Sequence, residues 1–284
     1  MRAEITHPDK VLFPKGKITK QELVDYYVSV AKWMLPLIKD RPISMKRYPQ
    51  GISKEGFFQK SAPENLPSFV KTAKITRKEK GKTTMILCSN KDTLAYLANQ
   101  NCITPHVWLS KAQKPSHPDR MVFDLDPPPR KSFGAVVEVA FVLKEVIEKK
   151  AKLKAFVTTT GSRGLHIVVP IKPTRTFDEV RAVAKQIAAM ALEESPKLCT
   201  LEVRKEKRQG KIYLDIQRNG YGQTVVAPYA VRPLPGAPIA TPLFWDELEA
   251  PTLRSNSFCL RDFTKARKRN PWASIDRSAR KLSF

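Results

Sequence analysis

Apolar residues recur at helical spacing from residue 20 to 38, where Leu23, Tyr26, Tyr27 and Val30 form one stripe. That spacing predicts a helix with one buried face. Thr19 stands just before it and Glu22 three positions on, a capping box that fixes the start. Ile43 to Tyr48 reads as a strand, and GFFQK after it as a loop presenting two aromatics. Strands are expected near 69–75, 83–88 and 104–109, with a short helix at 91–100. From 120 the order becomes strand (120–125), helix (132–150), strands (154–159 and 165–171) and helix (177–193). A strand at 200–204, a basic loop at 204–211 and a strand at 212–217 complete it. Such an order predicts an α+β core with a mixed or antiparallel sheet, not a regular α/β alternation.

Three segments of this pattern carry candidate chemistry. MVFDLDPPPR is a hydrophobic strand ending in two acids. Side chains alternate along a strand, so Asp124 and Asp126 project together while Leu125 turns to the core. Paired carboxylates repel unless a cation lies between them, although the pair alone also fits a strand-end turn before proline. TTTGSRGLHIVVPI places Gly161 and Gly164 in a turn beside Thr160, Ser162 and Arg163, with His166 opening the next strand. Such a loop suits a triphosphate, and taken alone it equally fits a hairpin turn. In KIYLDIQRNG, Asp215 interrupts an apolar strand, which is costly unless it has a partner or faces solvent. A cation shared with Asp124 and Asp126 supplies one. Two divalent ions about 3.5–4 Å apart between such acids would activate a 3′-hydroxyl and stabilise leaving pyrophosphate. Oxygen donors fit Mg²⁺ or Mn²⁺ rather than zinc.

Lys plus Arg number 51 against 27 Asp plus Glu, a formal net charge of +24. An excess of that size makes a polyanion the leading partner class. Cys88, Cys102, Cys199 and Cys259 are scattered without a C-x-x-C pair, and His7, His106, His117 and His166 do not join them at zinc spacing. A zinc site and a disulfide framework are therefore not expected. The polar opening MRAEITHPDK and the lack of an apolar run approaching ~18 residues give the expectation of no membrane association and a reducing, cytoplasmic setting.

The DLD strand, the GSRGLH loop and the LDIQRNG strand, in that order, resemble the polymerase domain of bacterial and archaeal DNA ligase D, within the archaeo-eukaryotic primase superfamily. The likeness runs from THPDKVLFP at residue 6 to WDEL near 248. It implies a primase-like fold with an RRM-like catalytic core flanked by helices. It also implies template-dependent nucleotidyl transfer that fills gaps and extends ends in non-homologous end joining, with ribonucleotides preferred. Two Mn²⁺ or Mg²⁺ ions and nucleoside triphosphates (ribo or deoxy) would be used. Gapped or broken DNA with a 5′-phosphate, Ku and an ATP-dependent ligase would be the partners, in a prokaryotic cytoplasm at the nucleoid.

The resemblance assigns Asp124, Asp126 and Asp215 as catalytic metal ligands. Thr160, Gly161, Ser162, Arg163 and His166 would hold the triphosphate. Lys46, Arg47, His106 and Arg232 would line the nucleotide pocket, and Phe57 with Phe58 would stack on base and sugar, a sequence-tolerant contact. Lys10 and Lys20 would grip a downstream 5′-phosphate. Many relatives carry Ser-Gly-Ser-Lys-Gly where this chain has Thr160-Gly-Ser-Arg163-Gly, so hydroxyl and charge persist with altered geometry. No ligase or nuclease domain accompanies the motifs, which fits a polymerase acting with a ligase in trans or an excised domain. The organisation expected is a primase-polymerase domain over 1–260, with an N-terminal lobe at about 1–118 and a catalytic core at about 119–250, and a solvated basic tail at 261–284. Other classes remain: a de novo primase with the same acids, a dehalogenase-like phosphatase read from D-x-D, and a non-catalytic module that bridges DNA ends.

Overall fold

A computed structural model describes residues 4–77 and 81–283. Its first strands are β1 (Val11–Phe13), β2 (Ile18–Thr19), β3 (Ile43–Arg47), β4 (Phe57–Gln59), β5 (Lys71–Arg77), β6 (Gly81–Leu87) and β7 (Cys102–Trp108). Then come β8 (Arg120–Asp126), β9 (Phe156–Thr159), β10 (Leu165–Pro170), β11 (Cys199–Thr200), β12 (Ile212–Asp215), β13 (Thr224–Val226) and β14 (Pro242–Leu243). The α-helices are α1 (Lys20–Ile38), α2 (Lys91–Asn99), α3 (Phe133–Glu145), α4 (Phe177–Glu194) and α5 (Phe263–Ala266). The chain forms two units, one of Met1–Pro115, Thr224–Ala240 and Phe258–Asn270, the other of Ser116–Gln223, Thr241–Ser257 and Pro271–Phe284.

The first unit begins with the expected capping box. The Glu22 amide donates to the Thr19 hydroxyl at 3.3 Å and the Thr19 amide to the Glu22 carboxylate at 2.9 Å, satisfying two orphan donors of the first helical turn. The α1 stripe of Leu23, Tyr27, Val30 and Met34 is buried. Tyr27 donates to the Ile103 carbonyl at 2.7 Å and accepts the Val231 amide at 3.0 Å, which ties α1 to β7 and to the returning segment. A sheet ordered β13-β7-β3-β4 is antiparallel throughout, and β5 with β6 form a separate hairpin. GFFQK, expected as a loop, instead supplies β4 at the sheet edge, though Phe57 and Phe58 keep 47% and 49% exposure.

The second unit contains the run β8-α3-β9-β10-α4-β12 in a six-stranded sheet ordered β11-β12-β8-β10-β9-β14. Its four inner strands stand in the order fourth, first, third, second, all antiparallel, which is the split β-α-β arrangement of an RRM-like core. Met121, Phe123 and Leu125 on β8 alternate onto one fully buried face, paired with Val169, Ile167 and Leu165 on β10. α3 and α4 pack together and against this sheet. The helix expected over 132–150 is α-helical to Glu145 and continues as a π-helical turn, Val146–Lys150.

Two expectations are corrected. Residues 261–284 are not a solvated tail over the described stretch to Ser283, Phe284 lying outside the described residues. Phe263, Trp272, Ile275 and Leu282 are 0–5% exposed, Trp272 donates its indole N–H to the Val157 carbonyl at 3.1 Å, and Arg120 is paired with Asp276. The apolar anchors are spaced too irregularly for any period to reveal them. A simple split at 118/119 also differs from the structure, because residues 224–240 and 258–270 return to the first unit. Among the described residues no helix is long and apolar enough to cross a membrane.

Candidate functional site

β8 ends with Asp124 and Asp126 on one sheet face, half-buried, while Leu125 between them is 0% exposed. β12 brings Asp215 directly opposite Asp124, and β10 brings His166 opposite Asp124 from the other side. One row across the sheet therefore reads Thr158, His166, Asp124, Asp215. His166 Nε2 lies 3.4 Å from Asp124 Oδ1. Burial, chiefly, pushes the Asp215 carboxyl upward, and the charge of Asp124 adds to the rise, while the Gln217 amide and Arg218 pull it down.

Arginines surround these acids. Arg218 Nε stands 3.8 Å from Asp124 and 3.7 Å from Asp215. Arg208 reaches Asp126 at 3.2 Å while stacked 4.1 Å over the Tyr213 ring, and Arg163 approaches Asp126 at 3.5 Å. Sequence reasoning missed Arg208 and Arg218. The first lay in a loop read only as basic, and the second follows Asp215 at i+3. Among the described residues no group of three or more His, Cys, Asp or Glu side chains is set to hold a metal as placed. The donor set is nevertheless the kind that hard divalent ions take, acids facing one another across two strands with one carboxyl already raised by burial and like charge.

The loop after β9 is built around Thr160. Its hydroxyl accepts the Ser162 and Gly164 amides at 3.3 and 3.2 Å and lies 3.2 Å from the Ser255 hydroxyl, which donates to the Gly164 carbonyl at 2.7 Å. Thr160 is 7% exposed and shapes the loop from within rather than presenting its hydroxyl to a phosphate, a correction to its expected role. Ser162 is half-buried and Arg163 exposed. Gly161 adopts a φ of +64°, and a Cβ on Gly164 would meet the Leu125 carbonyl at 2.0 Å. Only glycine lets this loop lie against the backbone between the two acids.

A further element holds that strand. Asn219, 0% exposed, accepts the Val122 amide at 2.8 Å and donates to the Val122 carbonyl at 2.7 Å and to the Ile216 carbonyl at 2.9 Å. β12 ends at Asp215, and the Asn219 carboxamide continues its ladder on β8 two residues before Asp124.

The first unit carries the remaining candidates. Lys46 pairs with Phe58 and Ser44 with His106, so Lys46, Phe58 and His106 share one face. Lys46 Nζ lies 4.9 Å over the Phe58 ring, and Phe58 meets His106 edge-on at 5.0 Å. Arg47 and Phe57 pair on the opposite face. Arg47 is held there by the Gln100 carbonyl at 2.7 Å and the Gln59 amide oxygen at 2.6 Å. The period of two along a strand separates each expected pair, so they do not act from one face. Arg232 lies close enough to Tyr48 to offset part of the rise that burial gives that phenol. Lys10 is exposed. Lys20 is 3% exposed and donates to the Thr6 carbonyl at 2.6 Å, so its ammonium is turned inward. Burial and then the charge of Lys10 hold its pKa below the usual lysine range.

The family profile described as "LigD, primase-polymerase domain" matches residues 19–272. The chain belongs to this LigD primase-polymerase family. Similar relatives are the multifunctional non-homologous end joining protein LigD of Mycolicibacterium smegmatis, 34% identical over 90% of this chain and 34% of that protein, and the bifunctional LigD of Bacillus subtilis, 32% identical over 88% of this chain and 40% of that protein. The chain thus spans roughly a third to two fifths of the length of these curated relatives. The polymerase domain of Mycobacterium tuberculosis Ligase D in complex with DNA superposes with a TM-score of 0.91 at 30% identity, covering 98% of this chain and 99% of that one. As a LigD primase-polymerase domain the chain has the archaeo-eukaryotic primase fold and is by class a DNA-directed nucleotidyltransferase, with the divalent-metal and nucleotide requirement of that class.

Proposed function

We propose that this chain is the gap-filling and end-extending polymerase of a double-strand break repair system of the non-homologous end joining type. The observation that supports it most is the row of Asp124 and Asp215, with Asp126 beside them and His166 opposite, on one sheet face next to the Thr160–Gly164 loop. Asp124, Asp126 and Asp215 would hold two divalent ions, Mn²⁺ or Mg²⁺, which supply charge stabilisation for the attacking and leaving oxygens. Arg163, Ser162 and His166 orient the triphosphate, with Gly161 and Thr160 shaping the loop. Lys46, His106 and Arg232 add nucleotide contacts, and Phe58 offers a ring for the base. Arg47 and Phe57 support them from the reverse face of that sheet. Lys10, with Lys20 behind it, takes the 5′-phosphate of the downstream strand. Ribonucleotides are the preferred substrate, DNA the template, and Ku with an ATP-dependent ligase the partners, in the cytoplasm at the nucleoid.

The test is primer extension on a short gapped duplex, with and without a 5′-phosphate, using ribo- and deoxynucleotides separately in Mn²⁺ or Mg²⁺. Templated addition favouring ribonucleotides and the 5′-phosphate is the expected result. Tight binding to ends without addition under any condition would replace this reading by an end-bridging module, and synthesis without a primer by a primase.

A further inference from the structure

Two hydroxyls are buried on the face of the first unit's sheet that carries Lys46, Phe58 and His106. Thr104 is 1% exposed and donates its hydroxyl to the Val231 carbonyl at 2.6 Å. Ser44 is also 1% exposed, yet among the described residues its hydroxyl has no hydrogen-bond partner. A buried hydroxyl left unmatched costs stability, and alanine at the same place would not carry that cost. Strand register shows which group stands beside it. Ser44 is paired directly with His106, and His106 with Val226, so one row across the sheet reads Val226, His106, Ser44. The next row on that face is Thr104, Lys46, Phe58. Residues directly opposite each other share a face, with Cβ atoms about 4.5–5.5 Å apart. At that spacing a rotation about χ1 brings the Ser44 hydroxyl within reach of an imidazole nitrogen.

Phe58 meets the His106 ring edge-on at 5.0 Å and is itself 49% exposed, so its ring is free to turn onto a base. The bond made at one imidazole nitrogen sets which nitrogen carries the proton and how the ring is turned. We propose that Ser44 is a positioning residue of the nucleotide site, whose hydroxyl engages His106 when nucleotide is bound and leaves the other ring nitrogen for the nucleotide. Phe58, on turning to the base, releases its edge contact and lets the imidazole take that bond. The free protein carries the cost of the unmade bond, and nucleotide binding removes it. Stability and affinity therefore respond to Ser44 with opposite signs, as at sites where stability is given up for function. The inference rests on the reading of His106 as a nucleotide contact.

The experiment measures thermal melting of the free protein and calorimetric titration with adenosine triphosphate in Mn²⁺, without DNA, for wild type, Ser44→Ala, Ser44→Thr, His106→Ala and the Ser44→Ala/His106→Ala pair. Ser44→Ala is expected to raise the melting temperature by about 2–4 °C and to weaken nucleotide affinity about three- to tenfold, the loss of one hydrogen bond. Ser44→Thr restores the hydroxyl and should bind as wild type does. In the His106→Ala background the Ser44→Ala change should have no further effect on affinity, because the two side chains act as one unit. A lowered melting temperature in Ser44→Ala would show the hydroxyl already satisfied in the free protein and would overturn the inference. Unchanged affinity in Ser44→Ala, a folded Ser44→Thr protein as weak as the alanine variant, or additive losses in the double variant would overturn it equally. Wild-type protein that binds the nucleotide with these dependences but adds none to a primed gap would defeat the polymerase reading and leave the role of Ser44 standing. Templated addition by wild type with affinity indifferent to Ser44 would do the reverse.

Discussion

Asn219 offers a test of how the acidic row is held in place. Replacing it with leucine keeps the branched shape and number of heavy atoms but strands the amide and carbonyl of Val122, a residue 1% exposed on the central strand β8. An orphaned buried backbone group costs about 1–3 kcal/mol, so the pair costs about 4 kcal/mol. For a chain of this size that lowers the melting temperature by about 8–16 °C. Val122 precedes Asp124 by two residues, and relaxation of β8 displaces the carboxylate. A misplacement of the order of 1 Å costs about a hundredfold in rate, so Asn219→Leu is expected to lower kcat by one to two orders of magnitude, with KM for the nucleotide nearly unchanged. Thermal scanning and steady-state extension at a temperature where the variant is fully folded read both quantities. A melting temperature and kcat equal to wild type would refute the reasoning. Normal kcat with lowered stability would leave Asn219 a structural brace without effect on the acids.

Three further outcomes are expected. Trp272→Ala removes a buried ring and its bond to the Val157 carbonyl; a loss of about 3–5 kcal/mol should appear in denaturant unfolding, and a loss near zero would restore the solvated-tail reading. Phe58→Ala should raise the nucleotide KM by the equivalent of about 1–3 kcal/mol of stacking, whereas Arg47→Ala, which breaks bonds to Gln59 and Gln100, should mainly lower the melting temperature; equal KM effects would contradict the separation of faces. Lys20 has its pKa lowered by burial and by Lys10, so the fold favours its neutral form as pH rises through that lowered value, below the usual lysine range. A phosphate requires the ammonium, so the affinity advantage of a 5′-phosphorylated gap should fade with rising pH earlier than ordinary lysines would dictate, and Lys20→Met should abolish that early fade. A pH profile unchanged in Lys20→Met would remove Lys20 from the phosphate site.

Much of the candidate site was legible because strand alternation is a strict period. Asp124 and Asp126 share a face and Leu125 is buried, as that period requires, and the α1 capping box forms where Thr19 and Glu22 place it. The same period, applied to Lys46-Arg47 and Phe57-Phe58, already separates each pair onto two faces. What no local pattern contains is register. That Asp215 falls opposite Asp124, rather than one residue to either side, is decided by pairing between strands far apart in sequence. Thr160 reads as a phosphate donor until Ser255, distant in sequence and without any local signal, is seen beside it. The inward turn of Lys20 depends on Thr6, and the burial of the C-terminal segment depends on long-range packing that its charge density conceals. β13 and β14 are too short to show alternation at all.

The most direct test of the catalytic assignment is single-turnover incorporation of one templated nucleotide into a gapped duplex by wild-type, Asp124→Ala and Asp215→Ala proteins, all shown to bind the DNA equally. Templated addition by the wild type that is abolished in both variants is the predicted result. Appreciable residual incorporation in either variant would contradict the assignment of these acids as the catalytic centre.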